Sequence, residues 1–167
     1  MENIISKNSK ISKSAKIISS IIEEECIIED NVTIGPFAYI RKGSVIKDGA
    51  HIGSSVEIKN STIGENTHIG HLAYVGDVTL GKNCNIGAGV KFANYDGIKK
   101  HKTIVEDDVF IGCNSVIIAP TTIKKGTYIG AGTVFKGITN ENTLYYQKRD
   151  VISKSLNNKI YDPKFKK

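Results

Sequence analysis

The sequence has no tryptophan, only three prolines and a single methionine among its 167 residues. It also has no apolar run near the roughly 20 residues that a membrane-spanning helix requires. Residues 1–10 include an acidic side chain and no apolar core, so we expect no secretory signal peptide. Only three cysteines occur, without paired spacing, which favours reduced thiols in a cytoplasmic protein over a disulfide-stabilised secreted one.

Glycine is abundant, with 16 residues, and hydrophobic residues make up 40% of the chain. That composition suits short strands and tight turns, and the length predicts a single domain of ordinary size. Lys and Arg total 23 against 17 Asp and Glu, which gives a net charge of +6. A basic protein favours anionic partners, but part of the excess lies in the lysine-rich segment 157–167, so charge alone identifies no partner.

An aliphatic residue returns at every sixth position through most of the chain, for example from Ile28 to Ile58 and from Val105 to Phe135. The residue two positions earlier is small almost throughout, and residues two apart on a strand face the same side. Small and large side chains therefore both face inward. This period is too short for a helical repeat and predicts an all-β fold, a parallel β-helix of hexapeptide coils.

The cysteines take different places in this pattern. Cys26 and Cys84 occupy the small inward position, so we expect both to fill the core. Cys113 lies two residues after Ile111 and is predicted to lie on the outer wall.

The repeat is interrupted between Phe92 and Val105, where aromatic, amide and cationic residues replace the aliphatic ones. The segment KFANYDGIKKHKT predicts a loop over about residues 93–103 that leaves the wall and turns at Asp96–Gly97.

The motifs between Ile34 and Lys148 resemble a known enzyme family. IGPFAYIRKG, GAHIGSSVEIKNSTIGENTHIGHLAYVGD, NIGAG, NYDGIKKHKT and DDVFIG follow one another in this order. They are similar to the C-terminal acetyltransferase domain of the bifunctional glucosamine-1-phosphate acetyltransferase/N-acetylglucosamine-1-phosphate uridylyltransferase, within the hexapeptide-repeat acyltransferases. The resemblance implies a left-handed β-helix, a homotrimer, acetyl-CoA as co-substrate between neighbouring subunits, and no metal.

The reaction of that family transfers an acetyl group from a thioester to the amine of an amino-sugar phosphate. A histidine with a pKa near neutrality can accept the amine proton. Hydrogen-bond donors are needed for the tetrahedral oxyanion, and cations are needed for the phosphate.

The resemblance assigns residues to these roles. His71 is implied as the catalytic base, and Glu57 as the group that polarises or orients it, although a surface salt bridge suits Glu57 almost as well. Asn94 is implied to steady either the amine or the oxyanion. The residues implied to bind the sugar phosphate are Arg41, Lys59, Tyr74, Asn85 and Lys100, the last reaching a neighbouring subunit's site. The residues implied to line the acetyl-CoA site are Ala88, Asn94, Tyr95, Cys113, Ala131 and Lys148.

The sequence departs from the family pattern at two of these positions. Cys113 stands where serine is more usual, and Lys148 stands where arginine is usual. Arg149 is adjacent to Lys148, so the position of the cation that meets the CoA phosphate stays open.

We expect one β-helix acetyltransferase domain over residues 1–150 and a C-terminal extension over residues 151–167. The repeats begin by Ile5 and no Gly-rich nucleotide loop precedes them, so we expect no uridylyltransferase domain and a separate uridylyltransferase for the next step. We expect no nucleic-acid partner and no membrane span.

The leading hypothesis is an acetyl-CoA-dependent N-acetyltransferase that makes N-acetylglucosamine 1-phosphate from glucosamine 1-phosphate, a step towards UDP-N-acetylglucosamine. The nearest alternative is an acetyltransferase of the same fold that acts on another, nucleotide-linked amino sugar for surface polysaccharide. Two further classes are a zinc carbonic anhydrase, which needs three converging histidines, and a non-catalytic β-helix scaffold.

Overall fold

The computed structural model describes residues 2–153, and every regular element in that range is a β-strand. The strands are β1 (Ile4–Ile5), β2 (Lys10–Ile11), β3 (Lys16–Ile17), β4 (Ile21–Ile22), β5 (Ile27–Ile28), β6 (Thr33–Ile34), β7 (Tyr39–Ile40), β8 (Val45–Ile46), β9 (His51–Ser54), β10 (Glu57–Lys59), β11 (Thr62–Ile63), β12 (His68–His71), β13 (Tyr74–Gly76), β14 (Val78–Leu80), β15 (Asn85–Ile86), β16 (Lys91–Ala93), β17 (Thr103–Val105), β18 (Phe110–Ile111), β19 (Val116–Ile123), β20 (Tyr128–Ile129), β21 (Val134–Ile138) and β22 (Leu144–Tyr145). No helix long and apolar enough to cross a membrane occurs in this range. Most of the C-terminal extension predicted for residues 151–167 lies outside the described residues.

The strands stack in parallel on one another, coil upon coil. Ile22 lies beside Ile40 and Ile58 lies beside Val75, so one coil takes 18 or 17 residues. Three strands in each coil generate three faces. The first face is the ladder of β1, β4, β7, β10, β13, β16 and the start of β19; the second is β2, β5, β8, β11, β14, β17 and the end of β19; the third is β3, β6, β9, β12, β15, β18, β20 and β22. The predicted left-handed parallel β-helix is confirmed.

The inward residues of the three faces form one continuous core. Ile52 and Ile69 are fully buried, and so are the small residues Ala50 and Thr67 two positions before them. The repeat therefore places a large and a small side chain inward on each strand, as predicted. Each coil covers the edge of the next, so burial is continuous along the stack.

The cysteines lie where the repeat places them. Cys26 and Cys84 are buried, and Cys113 is exposed. Burial raises the pKa of the Cys26 and Cys84 thiols, which keeps both in the unreactive thiol form.

The chain leaves the wall where the repeat is interrupted. Phe92 lies beside Ile117, 25 residues later, whereas an ordinary coil takes 17 or 18. Between them, Tyr95 and Lys100 form an antiparallel bridge, so the loop is a short hairpin. The hairpin leaves at the corner between the first and second faces, because β16 lies on the first face and β17 on the second.

The turn of the hairpin is organised by Asp96. Its carboxylate accepts the backbone N–H groups of Ile98 and Lys99, each at 2.8 Å, and pairs with the imidazole of His101 at 2.6 Å. The Lys99 backbone contact, His101 and the Ile98 backbone contact together hold the pKa of Asp96 well below its usual range. The hairpin therefore has an internal polar framework of its own.

Candidate active site

Four of the predicted site residues share the first face. Glu57 lies in register between Tyr39 and Tyr74. Ile40 pairs with Ile58, so Arg41 and Lys59, which follow them, stand side by side. The face therefore presents Arg41, Glu57, Lys59 and Tyr74 together, because alternate strand residues point outward.

Glu57 forms the salt bridge that the sequence left as an alternative. The Arg41 guanidinium donates to the Glu57 carboxylate at 2.8 Å and lies over the Tyr39 ring, 5.5 Å from its centroid. The hydrogen bond to Glu57 raises the pKa of Arg41. Among the described residues no hydrogen bond joins Glu57 to His71, so the role of Glu57 towards that histidine stays a prediction.

The hairpin brings Lys100 back to Lys59 of the same chain. A hydrogen-bonding contact with Lys100, together with the charges of Lys100 and Arg41, lowers the pKa of Lys59. Three cationic side chains therefore gather at the corner between the first and second faces. Like charges held together favour an anionic ligand such as a phosphate. The reach of Lys100 to a neighbouring subunit stays a prediction.

Tyr74 and Asn94 meet over Gly76. A Cβ built on Gly76 would lie 2.5 Å from the Tyr74 hydroxyl and 2.8 Å from the Asn94 side-chain nitrogen. Glycine at this position therefore leaves the space that both side chains fill. The predicted sugar ligand Tyr74 and the predicted catalytic amide Asn94 are thereby adjacent.

Asp77 was missed by the sequence reasoning. Its carboxylate accepts from the side-chain nitrogen of Asn94 at 2.5 Å and from that of Asn60 at 2.6 Å. Asp77 ends the motif GHLAYVGD and precedes Asn94 by 17 residues. That spacing equals one coil of the repeat. That spacing was the available signal that the two side chains stack.

His71 stands at the opposite edge of the first face. It ends β12, is exposed, and lies in register with Ser54. Backbone hydrogen bonds between successive coils place His71 in line with the predicted acetyl-CoA residues. The His71 carbonyl accepts from the N–H of Gly89, the neighbour of Ala88, at 3.2 Å. The Ala88 carbonyl accepts from Asn114, next to Cys113, at 2.8 Å, and the Cys113 carbonyl accepts from Gly132, next to Ala131, at 2.7 Å. His71, Ala88, Cys113 and Ala131 thus lie along one corner, between the third and first faces. We call this line the donor corner.

One cation at the end of the donor corner is Arg149. Its guanidinium donates to the Gly132 carbonyl, next to Ala131, and also to the side-chain oxygen of Gln147 at 3.4 Å. Lys148 is exposed. Both cations are therefore exposed near this corner, and which of them meets the CoA phosphate stays a prediction.

Two predicted ligands are not brought to the first face. Asn85 lies on the third face, in register with His68 and Phe110, and is exposed. Tyr95 lies on the hairpin, 60% exposed, with its hydroxyl donating to the Gly97 carbonyl at 2.7 Å. A single chain therefore does not surround one ligand with all the predicted residues.

Three histidines lie on the third face. His51 and His68 stack with ring centroids 5.6 Å apart, and Nδ1 of His51 lies 2.6 Å from the Thr33 hydroxyl. Burial, and then the nearby His68 and His71, lower the pKa of His51. In residues 2–153 no three His, Cys, Asp or Glu side chains are grouped in a way that could hold a metal ion.

Acidification is expected to destabilise the folded chain through His51. Its pKa is lower in the folded than in the unfolded state, so the unfolded state binds more protons and stability falls once the pH drops below about 6.5, the ordinary histidine value. Thermal unfolding at pH 7.5 and 5.5 measures this fall, and His51→Asn should reduce it. His68→Asn removes one of the nearby groups that lower the pKa of His51, so it should reduce the fall less than His51→Asn does. An equal fall in His51→Asn and in the unsubstituted protein would contradict the assignment.

Two family models match the chain. One, described as the GMPPB C-terminal domain, matches residues 22–98, and the other, described as bacterial transferase hexapeptide (six repeats), matches residues 102–137. With the stacked coils of parallel strands, they define the class that the chain is similar to, a β-helix built of hexapeptide repeats like those of bacterial hexapeptide transferases.

Curated relatives narrow the class further. The chain is 50% identical over 151 residues to the Bifunctional protein GlmU of Ruthia magnifica subsp. Calyptogena magnifica, an alignment that covers 90% of this chain and 33% of that protein. It is 47% identical over 137 residues to that of Caldicellulosiruptor saccharolyticus, with 82% and 29% covered. The chain therefore spans about a third of the length of the curated relatives it matches. The family resemblance predicted from the motifs is confirmed.

A solved structure shows the same fold. The UDP-N-acetylglucosamine acyltransferase from Campylobacter jejuni superposes with a TM-score of 0.59 at 18% identity, covering 83% of this chain and 68% of that one. At this identity the likeness concerns the fold alone.

Proposed function

We propose that the chain is an acetyl-CoA-dependent N-acetyltransferase that converts glucosamine 1-phosphate to N-acetylglucosamine 1-phosphate. The observation that carries the proposal is the first face, where Arg41, Lys59 and Lys100 gather beside Tyr74. The identity to proteins named Bifunctional protein GlmU supports it. A cationic cluster next to a hydroxyl suits a sugar phosphate, since guanidinium and ammonium groups pair with phosphate oxygens.

The donor corner supplies the second half of the reaction. Acetyl-CoA placed along Ala88, Cys113 and Ala131 would bring its thioester to His71 at the edge of the first face. The amine nitrogen forms a bond to the thioester carbon, the carbon–sulfur bond breaks, and CoA leaves as its thiolate. His71 accepts the proton that the amine loses and can return it to that thiolate. The proposal requires acetyl-CoA as co-substrate and calls for no metal.

We further propose a homotrimer with sites shared between chains. Asn85 lies on the third face, whereas the other sugar ligands lie on the first or on the hairpin beside it. A cyclic trimer joins two different surfaces of neighbouring chains, so it can set a third face against a first face. Ile98, 88% exposed on the hairpin, is a large apolar side chain available to such a neighbour.

A panel of amines tests the proposed activity. Acetyl-CoA is incubated with glucosamine 1-phosphate, glucosamine and a nucleotide-linked amino sugar, and thiol release is measured with product identification by mass. A strong preference for glucosamine 1-phosphate is expected, since only that compound offers the phosphate group alone to the three cations. Turnover of the nucleotide-linked sugar alone would replace the substrate. The absence of turnover with any amine would overturn the proposal.

Mixing two inactive variants tests the shared site. Tyr74→Ala and Asn85→Ala are each expected to lose most activity. Their mixed trimers are expected to regain it at about a quarter of the sites, because Tyr74 lies on the first face and Asn85 on the third, so that in the proposed trimer the two residues of one site come from different chains. Arg41→Ala mixed with Lys59→Ala is the matched control. Arg41 and Lys59 are neighbours on the first face of one chain. No chain in that mixture carries both residues, so mixing cannot restore a complete site. Recovery no greater in the first mixture than in the second would contradict sharing.

A further inference from the structure

Asp77 is a buried residue at the junction between the β-helix wall and the base of the hairpin. It is 7% exposed and has a left-handed φ of 56°, a conformation that Asp and Asn adopt more readily than most residues. Its backbone N–H donates to the Lys59 carbonyl at 3.0 Å, and its carbonyl accepts from Thr103 at 3.1 Å. The residue is therefore tied to the first face on one side and to the base of the hairpin on the other.

The Asp77 carboxylate determines which end of the Asn94 side chain faces it. An ionised carboxylate only accepts hydrogen bonds, and a carboxamide has one donating and one accepting end. The 2.5 Å contact therefore requires that Nδ2 of Asn94 points to Oδ2 of Asp77. Asn60 donates to Oδ1 of Asp77 at 2.6 Å, so both carboxylate oxygens are engaged by amide nitrogens.

The other end of the Asn94 amide is thereby turned away from Asp77. Within residues 2–153 no side chain or backbone group donates to Oδ1 of Asn94. This oxygen is therefore an acceptor of fixed direction on a side chain that lies beside Tyr74, at the edge of the cationic cluster.

We propose that Asp77 is a positioning residue that makes Asn94 a hydrogen-bond acceptor for the amine of the sugar, rather than a donor to the oxyanion. The inference rests on the proposed function. An amine about to attack has two N–H groups besides its lone pair. When Oδ1 of Asn94 accepts one of them, the lone pair is directed, and the positive charge that develops on nitrogen during attack is stabilised.

An exchange of the two side chains tests this assignment. Asp77→Asn keeps a residue suited to the left-handed backbone but removes the carboxylate that orients Asn94, and we expect kcat/KM to fall about tenfold or more. Asn94→Asp sets two carboxylates against each other and should be worse. In the double variant Asp77→Asn/Asn94→Asp, residue 77 donates and residue 94 still presents an acceptor oxygen. The double variant should therefore be several-fold more active than either single variant.

The variants test separately the acceptor role of Asn94 and the positioning role of Asp77. A folded double variant no more active than Asn94→Asp would overturn the acceptor role, because aspartate cannot replace a donor. Full activity of Asp77→Asn would overturn positioning by Asp77. Asn60→Gly, which removes the other partner while permitting the left-handed φ of 46°, should keep its activity within a few-fold. An equal loss in Asn60→Gly would show that the Asp77 cluster acts only on the fold and would overturn the proposal.

The unsubstituted protein separates this inference from the proposed function. Its turnover is measured first with the amine panel, and thermal unfolding checks that every variant is folded. If the unsubstituted protein acetylates no amine, that result contradicts both the proposed function and the role proposed for Asp77. With turnover, the variants decide the inference alone.

Discussion

Replacement of His71 by alanine is expected to lower kcat/KM for acetyl transfer by about 10²–10⁴-fold, the usual range for a lost acid–base group. His71 is exposed at the end of β12, while its core neighbour Ile69 is fully buried and untouched by the change. The fold should therefore survive. Steady-state thiol release with glucosamine 1-phosphate and acetyl-CoA measures the rate, and thermal unfolding measures the stability.

His68→Ala is the matched control for that prediction. His68 lies three residues earlier on the same strand and is also exposed, but it stacks on His51 on the third face instead of standing at the donor corner. We expect its activity to stay within a few-fold of the unsubstituted value. A folded His71→Ala protein with unchanged kcat/KM would remove His71 from its role as the base.

Replacement of Gly53 by alanine is expected to destabilise the coil stack by about 3 kcal/mol, near the upper end of overpacking costs. The new Cβ would lie 1.9 Å from the carbonyl oxygen of Gly70 and 2.8 Å from its carbonyl carbon. Both are backbone atoms of the next coil, which cannot move without separating β9 from β12. For a chain of this size the thermal midpoint should fall by roughly 6–12 °C.

Gly70→Ala provides a control in the same column of the stack. Gly70 lies one coil further along, beside Gly53, and no atom lies within 4 Å of its built Cβ. Neither residue has a positive φ, so backbone preference does not separate the two substitutions. We expect Gly70→Ala to change the midpoint by no more than a degree or two. A similar fall in both variants would show that the distance between coils is not set by this contact.

The fold could be predicted from sequence because its repeat is local. A residue facing inward on one coil is followed by its equivalent six residues later, so burial of Ile52 and Ile69, and the small inward positions of Cys26 and Cys84, follow from counting. The interruption after Phe92 was visible for the same reason. Motif resemblance then supplied His71, Lys59 and the other site residues as expectations.

The pairings between side chains were not predictable in this way. Arg41 forms a salt bridge with Glu57, and Asp77 accepts hydrogen bonds from Asn60 and Asn94. These contacts depend on which residues of neighbouring coils lie next to each other. The contact between Lys100 and Lys59 depends on the path of the hairpin, and the hairpin lies outside the hexapeptide repeat.

By itself the sequence determined the period, the inward column and the place where the chain leaves the wall, because each follows from alternation along a strand and needs only neighbouring residues. The tertiary structure alone decided the arrangement around Asp77. Stacking brought residues 17 apart into hydrogen-bond contact, and a carboxylate that only accepts then determined which end of Asn94 remains available. It also decided that Asn85 lies on a different face from Tyr74, since each coil turns the chain through three faces before returning.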